Sequence, residues 1–138
     1  MKRMIGALLV LIFTFLAGCA TVSGPAPAMM KDGMLVNAKG MTLYTFDRDV
    51  AGSGKSMCNG DCAVKWPPAM AKDTDKAMGD FAVITRDNGA KQWAYKGKPV
   101  YTWPEDQEPG DKYGDNYNKV WHIITPQNLA SKSSGKDY

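Results

Sequence analysis

Gly40-Met-Thr-Leu-Tyr-Thr-Phe-Asp-Arg-Asp49 and Gly97-Lys-Pro-Val-Tyr-Thr-Trp-Pro-Glu-Asp106 align without a gap. The Gly, Tyr, Thr and terminal Asp are identical in the two copies, Leu43 matches Val100 and Phe46 matches Trp103. Each copy runs on through a Gly- and Asp-rich loop to a tryptophan, Trp66 or Trp121, so the repeat motifs span residues 40–66 and 97–121. A solenoid needs at least three stacked units to bury its core. Two copies predict one domain with internal pseudo-twofold symmetry.

Aromatic and β-branched residues dominate both copies. Successive strand residues point to opposite faces, so Tyr44 and Phe46 share one face and Leu43 takes the other. Tyr101 and Trp103 share a face in the same way, opposite Val100. Lys39-Gly40 and Lys96-Gly97 mark tight turns, where glycine supplies a positive φ. Phe81–Thr85 and Gln92–Tyr95 flank Asp87-Asn88-Gly89 and read as a hairpin, and His122–Thr125 as a last short strand. A helical turn at Asp61–Lys65 would be stopped by Pro67-Pro68. The expected fold class is mainly β: a small single domain of two pseudo-symmetric β-hairpin repeats with short helical turns, over residues 33–126.

The N-terminus is of another kind. Met1-Lys2-Arg3 is basic, and Ile5 to Leu16 is an apolar run broken only by Gly6, Ala7 and Thr14. About a dozen residues suit a signal-peptide core and are too few to cross ~30 Å of hydrocarbon as a helix. The run ends in Leu16-Ala17-Gly18-Cys19, which resembles the lipobox of bacterial lipoproteins, where the cysteine takes a diacylglyceryl group and becomes the new N-terminus. Residues 1–18 are therefore expected to be a cleaved signal peptide and Cys19 the lipidation site, carrying palmitate or a similar chain. Each buried CH₂ contributes ~0.8 kcal/mol, so two or more acyl chains hold a protein on a membrane without a spanning segment. Ala20, in place of Asp, resembles the sorting pattern of outer-membrane lipoproteins and predicts the periplasmic face of that membrane. Residues 19–32, with Pro25 and Pro27 among small side chains, read as a flexible tether, and the polar residues 127–138 as a disordered tail.

The chain has 17 basic against 14 acidic side chains, and Lys2 and Arg3 leave with the signal peptide, so the mature domain is nearly neutral. No basic patch points to nucleic acid. The expected partners are a membrane, through the lipid anchor, and an envelope protein or small ligand.

Cys58 and Cys62 are the thiols left once Cys19 is acylated. An even pair in an oxidising compartment is most simply a disulfide, and Asn59-Gly60 favours the turn it needs. The alternative is a periplasmic copper or thiol redox site: Cys58 and Cys62 with His122, the only histidine, would be a soft ligand set for Cu(I). Met29, Met30 and Met34 could add thioethers. The spacing of the pair excludes a Cys-x-x-Cys redox or haem-attachment motif. Asp47, Asp49, Glu105, Asp106, Glu108, Asp111 and Asp115 do not follow the order of a calcium loop. They read instead as residues that solvate their loops, while the two repeated ones, Asp49 and Asp106, fix the turn by side-chain to backbone hydrogen bonds. No nucleophile or acid–base pair is specified, so no enzyme and no cofactor are expected. Trp66, Trp93, Trp103 and Trp121, with Tyr44, Tyr95 and Tyr101, are expected to form the core, the alternative being an exposed platform that stacks on sugars, quinones or peptides.

With these residues in hand the chain resembles a known family. Tyr44-Thr-Phe46-Asp-Arg-Asp49 and Tyr101-Thr-Trp103-Pro-Glu-Asp106 both fit Tyr-x-(Phe/Trp/Tyr)-x-x-Asp. Together with Cys58–Pro68 and Arg86–Tyr95 they resemble the bacterial predicted lipoproteins that carry this motif, a secreted-repeat family of unknown function. The likeness runs from about Gly33 to Trp121 and departs in the second copy, which has no cysteine pair and follows Trp121 with His122 rather than prolines. It implies a repeat fold in the cell envelope and supplies no reaction. The expected function is that of an anchored structural or binding module.

Overall fold

Asp32-Gly33, with φ of 50° and 81°, makes the two-residue turn whose twist suits a hairpin. It joins β1 (Ala28–Lys31) to β2 (Met34–Asn37). This is a computed structural model describing residues 24–133, with side chains described to residue 129; the expected signal peptide and Cys19 lie outside the described residues. The second half repeats the plan. β4 (Phe81–Thr85) pairs with β5 (Lys91–Tyr95), and Lys96-Gly97 turns the chain into the two-residue β6 (Lys98–Pro99). A Cβ on Gly97 would sit 2.7 Å from the backbone nitrogen of Gly52, so only glycine lets the two halves' loops touch there.

Each hairpin leads into a motif segment. The first is β3 (Tyr44–Phe46), as expected. The second does not form the expected strand over Val100–Trp103: Tyr101 makes isolated bridges to Tyr44 and Pro68. Pro99 and Pro104 bracket it, and a proline nitrogen cannot donate to a ladder.

The halves exchange their last segments. Beyond Trp66 the first half runs beside the second half's hairpin, where Trp93 N–H donates to Ala69 C=O at 2.8 Å and Ala69 N–H to Val100 C=O at 3.0 Å. Beyond the second loop, β7 (Trp121–Ile123) pairs antiparallel with β3, and Leu35 N–H donates to Ile124 C=O at 2.9 Å. Tyr44 and Tyr101 flank the pseudo-twofold axis: each donates its N–H to the other's carbonyl, at 2.8 and 3.0 Å. Among the described residues the result is three small antiparallel sheets, β1-β2, β3-β7 and β4-β5-β6.

Strand alternation divides the core in two. Tyr44, Phe46 and Tyr101 enter an aromatic cluster with Cys58, Trp66 and Trp121. Leu43 and Val100, one residue before each tyrosine, enter an aliphatic cluster with Ala28, Leu35 and Ile124. The aromatic expectation holds for Trp66, Trp121, Tyr44 and Tyr101, while Trp93, Tyr95 and Trp103 are only partly buried and pack against the clusters.

The helical turn at Asp61–Lys65 is present as α1, ending where Trp66 N–H meets Cys62 C=O. Two boundaries differ from expectation. Residues 28–31 are not tether but β1, because the Asp32-Gly33 turn folds them back onto β2 and buries Ala28. The tail from 127 begins as helix α2 (Pro126–Ser133). Thr125 Oγ1 accepts from Asn128 N–H at 3.2 Å while Asn128 Oδ1 accepts from Thr125 N–H at 2.9 Å. With proline at the first helical position, this reciprocal cap fixes the start of α2, and Leu129 packs on the aliphatic cluster.

Candidate functional site

The motif residues meet across the pseudo-twofold axis, each copy serving the other. Tyr44 Oη donates to Asp106 Oδ2 at 2.5 Å, and Tyr101 Oη donates to Asp49 Oδ2 at 2.6 Å. The second oxygen of each carboxylate takes a loop N–H, Met57 at 2.6 Å on Asp49 Oδ1 and Tyr113 at 2.9 Å on Asp106 Oδ1. All four motif side chains are buried. The loop-fixing role expected of Asp49 and Asp106 is there; the cross-repeat hydroxyl was not legible in the sequence.

Further groups complete the network. Gly114 N–H donates to Tyr44 Oη at 3.2 Å, and a Cβ at Gly114 would lie 2.7 Å from Trp66 Cη2. Ser56 Oγ lies 2.7 Å from Tyr101 Oη. Arg86, buried, donates to Ser56 Oγ at 3.0 Å, Gln92 Oε1 at 2.7 Å and Cys58 C=O at 2.6 Å. Gln92 in turn donates to Val100 C=O at 2.9 Å. The sequence assigns no role to Ser56, and Arg86 and Gln92 enter it only within the Arg86–Tyr95 segment that carries the family resemblance. Among the described residues no buried side-chain nitrogen or oxygen lacks a partner.

Burial dominates the electrostatics. Removal from water pushes the Tyr44 hydroxyl far above its usual range, and the bond to Asp106 adds to this. Tyr101 is raised for the same two reasons, with Asp49 as its acceptor. Burial also raises the Asp49 carboxyl, against the bonds from Tyr101 and Met57 and the charges of Lys98 and Arg86, which lower it. A raised carboxyl contributes stability that is complete below the unfolded-state value and lost as pH rises through the folded-state value. Asp49→Asn removes that slope; its Oδ1 can still accept from Met57 N–H while its amide N–H donates to a Tyr101 hydroxyl turned toward Ser56, so it should cost about 1 kcal/mol. Asp49→Ala strands the Met57 N–H, at about 1–3 kcal/mol, and leaves the Tyr101 hydroxyl with Ser56 in place of a carboxylate acceptor. Urea denaturation of the two variants at neutral pH checks the ordering.

Cys58 and Cys62 form a disulfide with a Cα–Cα distance of 5.2 Å. Cys58 is fully buried in the aromatic cluster, and the bridge pins α1 and Trp66 to the loop after β3. Closing so short a loop should stabilise by about 2 kcal/mol on chain-entropy grounds. Denaturation with and without reductant should therefore differ by roughly that amount and leave a folded reduced form.

His122 does not join the cysteines. It stands opposite Thr45 in the β3-β7 pair, with Nε2 at 2.8 Å from Asp47 Oδ2. Among the described residues no group of three or more His, Cys, Asp or Glu side chains is placed to hold a metal ion. The acidic loops serve backbone: Asp111 Oδ2 takes the N–H of Gln107 and of Glu108, and Asp115 Oδ1 that of Ile123.

Trp103, Trp66, Trp121 and Phe46 stack in one column, with successive ring centroids at 4.2, 3.9 and 4.3 Å. Trp103 is partly exposed at its end, beside the exposed Tyr117 at 4.9 Å. Openings lie elsewhere on the described surface. A groove of about 890 Å³ is lined by Lys39, Met70, Lys72, Lys76, Trp93 and Thr102 among others. A smaller apolar cleft of about 310 Å³ borders β1. Neither holds a motif tyrosine or aspartate. The motif therefore acts as a lock between repeats.

Comparison with known proteins agrees with this division. No curated protein and no solved structure matches the chain. The model of a family described as a secreted repeat of unknown function matches twice, over residues 28–70 and 82–125. The first match closes just after Ala69 and the second just after Ile124, the segments that the halves exchange. A secreted repeat works in the envelope or outside the cell, and among the described residues no helix is long and apolar enough to cross a membrane. With both repeats matched over more than half its length, the chain belongs to this secreted-repeat family of unknown function.

Proposed function

We propose that the chain is a lipid-anchored, non-enzymatic envelope module, held through Cys19 at the periplasmic face of the outer membrane and binding an envelope protein or small ligand without a cofactor. The observation that carries this reading is the inward use of the motif. Both tyrosine–aspartate pairs are buried and satisfied in joining the repeats, which leaves the surface grooves and loops for recognition. Ligand sites are concave, mostly apolar and about 300–1,000 Å³; the groove past Trp93 falls in that range, at about 890 Å³. Anchoring is tested first: labelled palmitate should enter the wild type and not Cys19→Ala, and Cys19→Ala should leave the membrane fraction. A Cys19→Ala chain that stays with membranes sinks the anchor. Trp93→Ala, at the groove wall, should weaken ligand capture without unfolding the domain.

A further inference from the structure

We propose that the methionine edge of β1, with the apolar cleft beside it, lies against the lipid leaflet that holds Cys19. The inference rests on the anchoring reading above. Met29 and Met30 are adjacent on β1, so they border its edge from opposite faces, and are 57% and 40% exposed. Among the described residues β1 is paired with β2 alone, so its outer edge is open there. Behind the two methionines the cleft is lined by Leu35, Met78, Phe81 and Tyr95. An open apolar edge strand is a hazard in water, and proteins blunt or cover such edges.

Where the chain leads tells what covers this one. From Cys19 to Ala28 it can stretch at most about 30 Å, at ~3.3–3.6 Å per residue. A domain of this size has a radius of gyration of about 13 Å, roughly 34 Å across as a sphere, so bringing its far side to the leaflet would hold β1 beyond the reach of a fully stretched tether. β1 is the first element that the anchor presents to lipid. Methionine suits that contact, because its flexible thioether adapts to an irregular apolar surface. The charges around the cleft balance: Lys31 on β1 and Lys96, whose Nζ lies 5.8 Å from the Tyr95 ring centroid, stand against Asp32 in the turn and Asp80 in the cleft. The contact is therefore apolar, and salt or anionic lipid should change it little.

A single introduced thiol tests this, since Cys19 is acylated and Cys58 is bridged to Cys62 in the native chain. Full-length lipidated Met29→Cys and Val64→Cys, the latter on exposed α1, are labelled with a polarity-sensitive fluorophore and reconstituted in phosphatidylcholine vesicles containing doxyl-labelled lipid. The probe at 29 should be blue-shifted and quenched at least about threefold more than the probe at 64, as for a face seated ~5–10 Å into the interface. The difference should persist across a wide range of protein-to-lipid ratios. Met30→Cys should repeat the result, which guards against one substitution perturbing the strand. Equal quenching at 29 and 64 overturns the proposal. A blue shift that vanishes on dilution in lipid, without quenching, also overturns it and assigns the edge to a second copy of the chain. Wild-type protein that fails to float with the vesicles brings down the anchor reading itself, and this inference with it.

Discussion

Trp66→Ala is expected to bring the domain to the edge of unfolding at room temperature. The ring is buried between Trp121 and Trp103, with centroids at 3.9 and 4.2 Å, and takes edge contacts from Tyr44 and Tyr117. Removing a buried tryptophan costs about 3–5 kcal/mol, and each aromatic pair adds ~0.5–1.5 kcal/mol beyond its area. Total stabilities of small domains are only about 5–15 kcal/mol. At about 4–8 °C per kcal/mol, the melting temperature should fall by roughly 15–30 °C. Thermal circular dichroism with the disulfide intact gives the number. Trp103→Ala, at the half-exposed end of the column, should cost clearly less. Equal losses would mean that the column is not the centre of the aromatic cluster.

Alkali should unfold the domain steeply. Tyr44 and Tyr101 are both raised well above the ordinary value of 10.0 by burial first and then by their aspartate acceptors. Their contribution is complete below the unfolded-state value and is lost as pH rises beyond it, because the unfolded chain then releases protons that the folded chain retains. Each tyrosine removes about 1.4 kcal/mol per pH unit in that window. Together the two should cost about 4 kcal/mol by one and a half units above the unfolded-state value. Chemical denaturation between pH 9 and 12, with phenolate absorbance followed in parallel, reads both effects. Tyr44→Phe and Tyr101→Phe should each remove about half of the slope. A slope unchanged in both variants would show that other groups carry it.

The duplicated motif made the symmetry, the mainly β class and the division of faces legible, because strand alternation and two aligned aromatic runs are local signals. The exchange of segments was not. Nothing near Ala69 or Ile124 says that each pairs with the other half, since that choice is made by the two tyrosines meeting at the axis. Asp106 looked like a partner for its own turn; only the fold reveals that Tyr44 reaches it. β1 was hidden by Pro25 and Pro27, which outweighed the Asp32-Gly33 hairpin signal that follows. Thr125-Pro126-Gln-Asn128 is a helix start that the polar composition beyond it masked. The disulfide was readable from compartment and spacing, whereas the buried Arg86 depends on partners drawn from β5 and the loop after β3.

The crossed pairing of Tyr44 with Asp106 and of Tyr101 with Asp49 sets a minimum length for a working protein of this kind. A chain carrying one copy could satisfy its carboxylate only on a neighbouring molecule, as an isologous dimer whose survival depends on concentration. Two copies on one polypeptide convert that encounter into a first-order event. Cutting between them should release halves that hold together or fall apart as a pair.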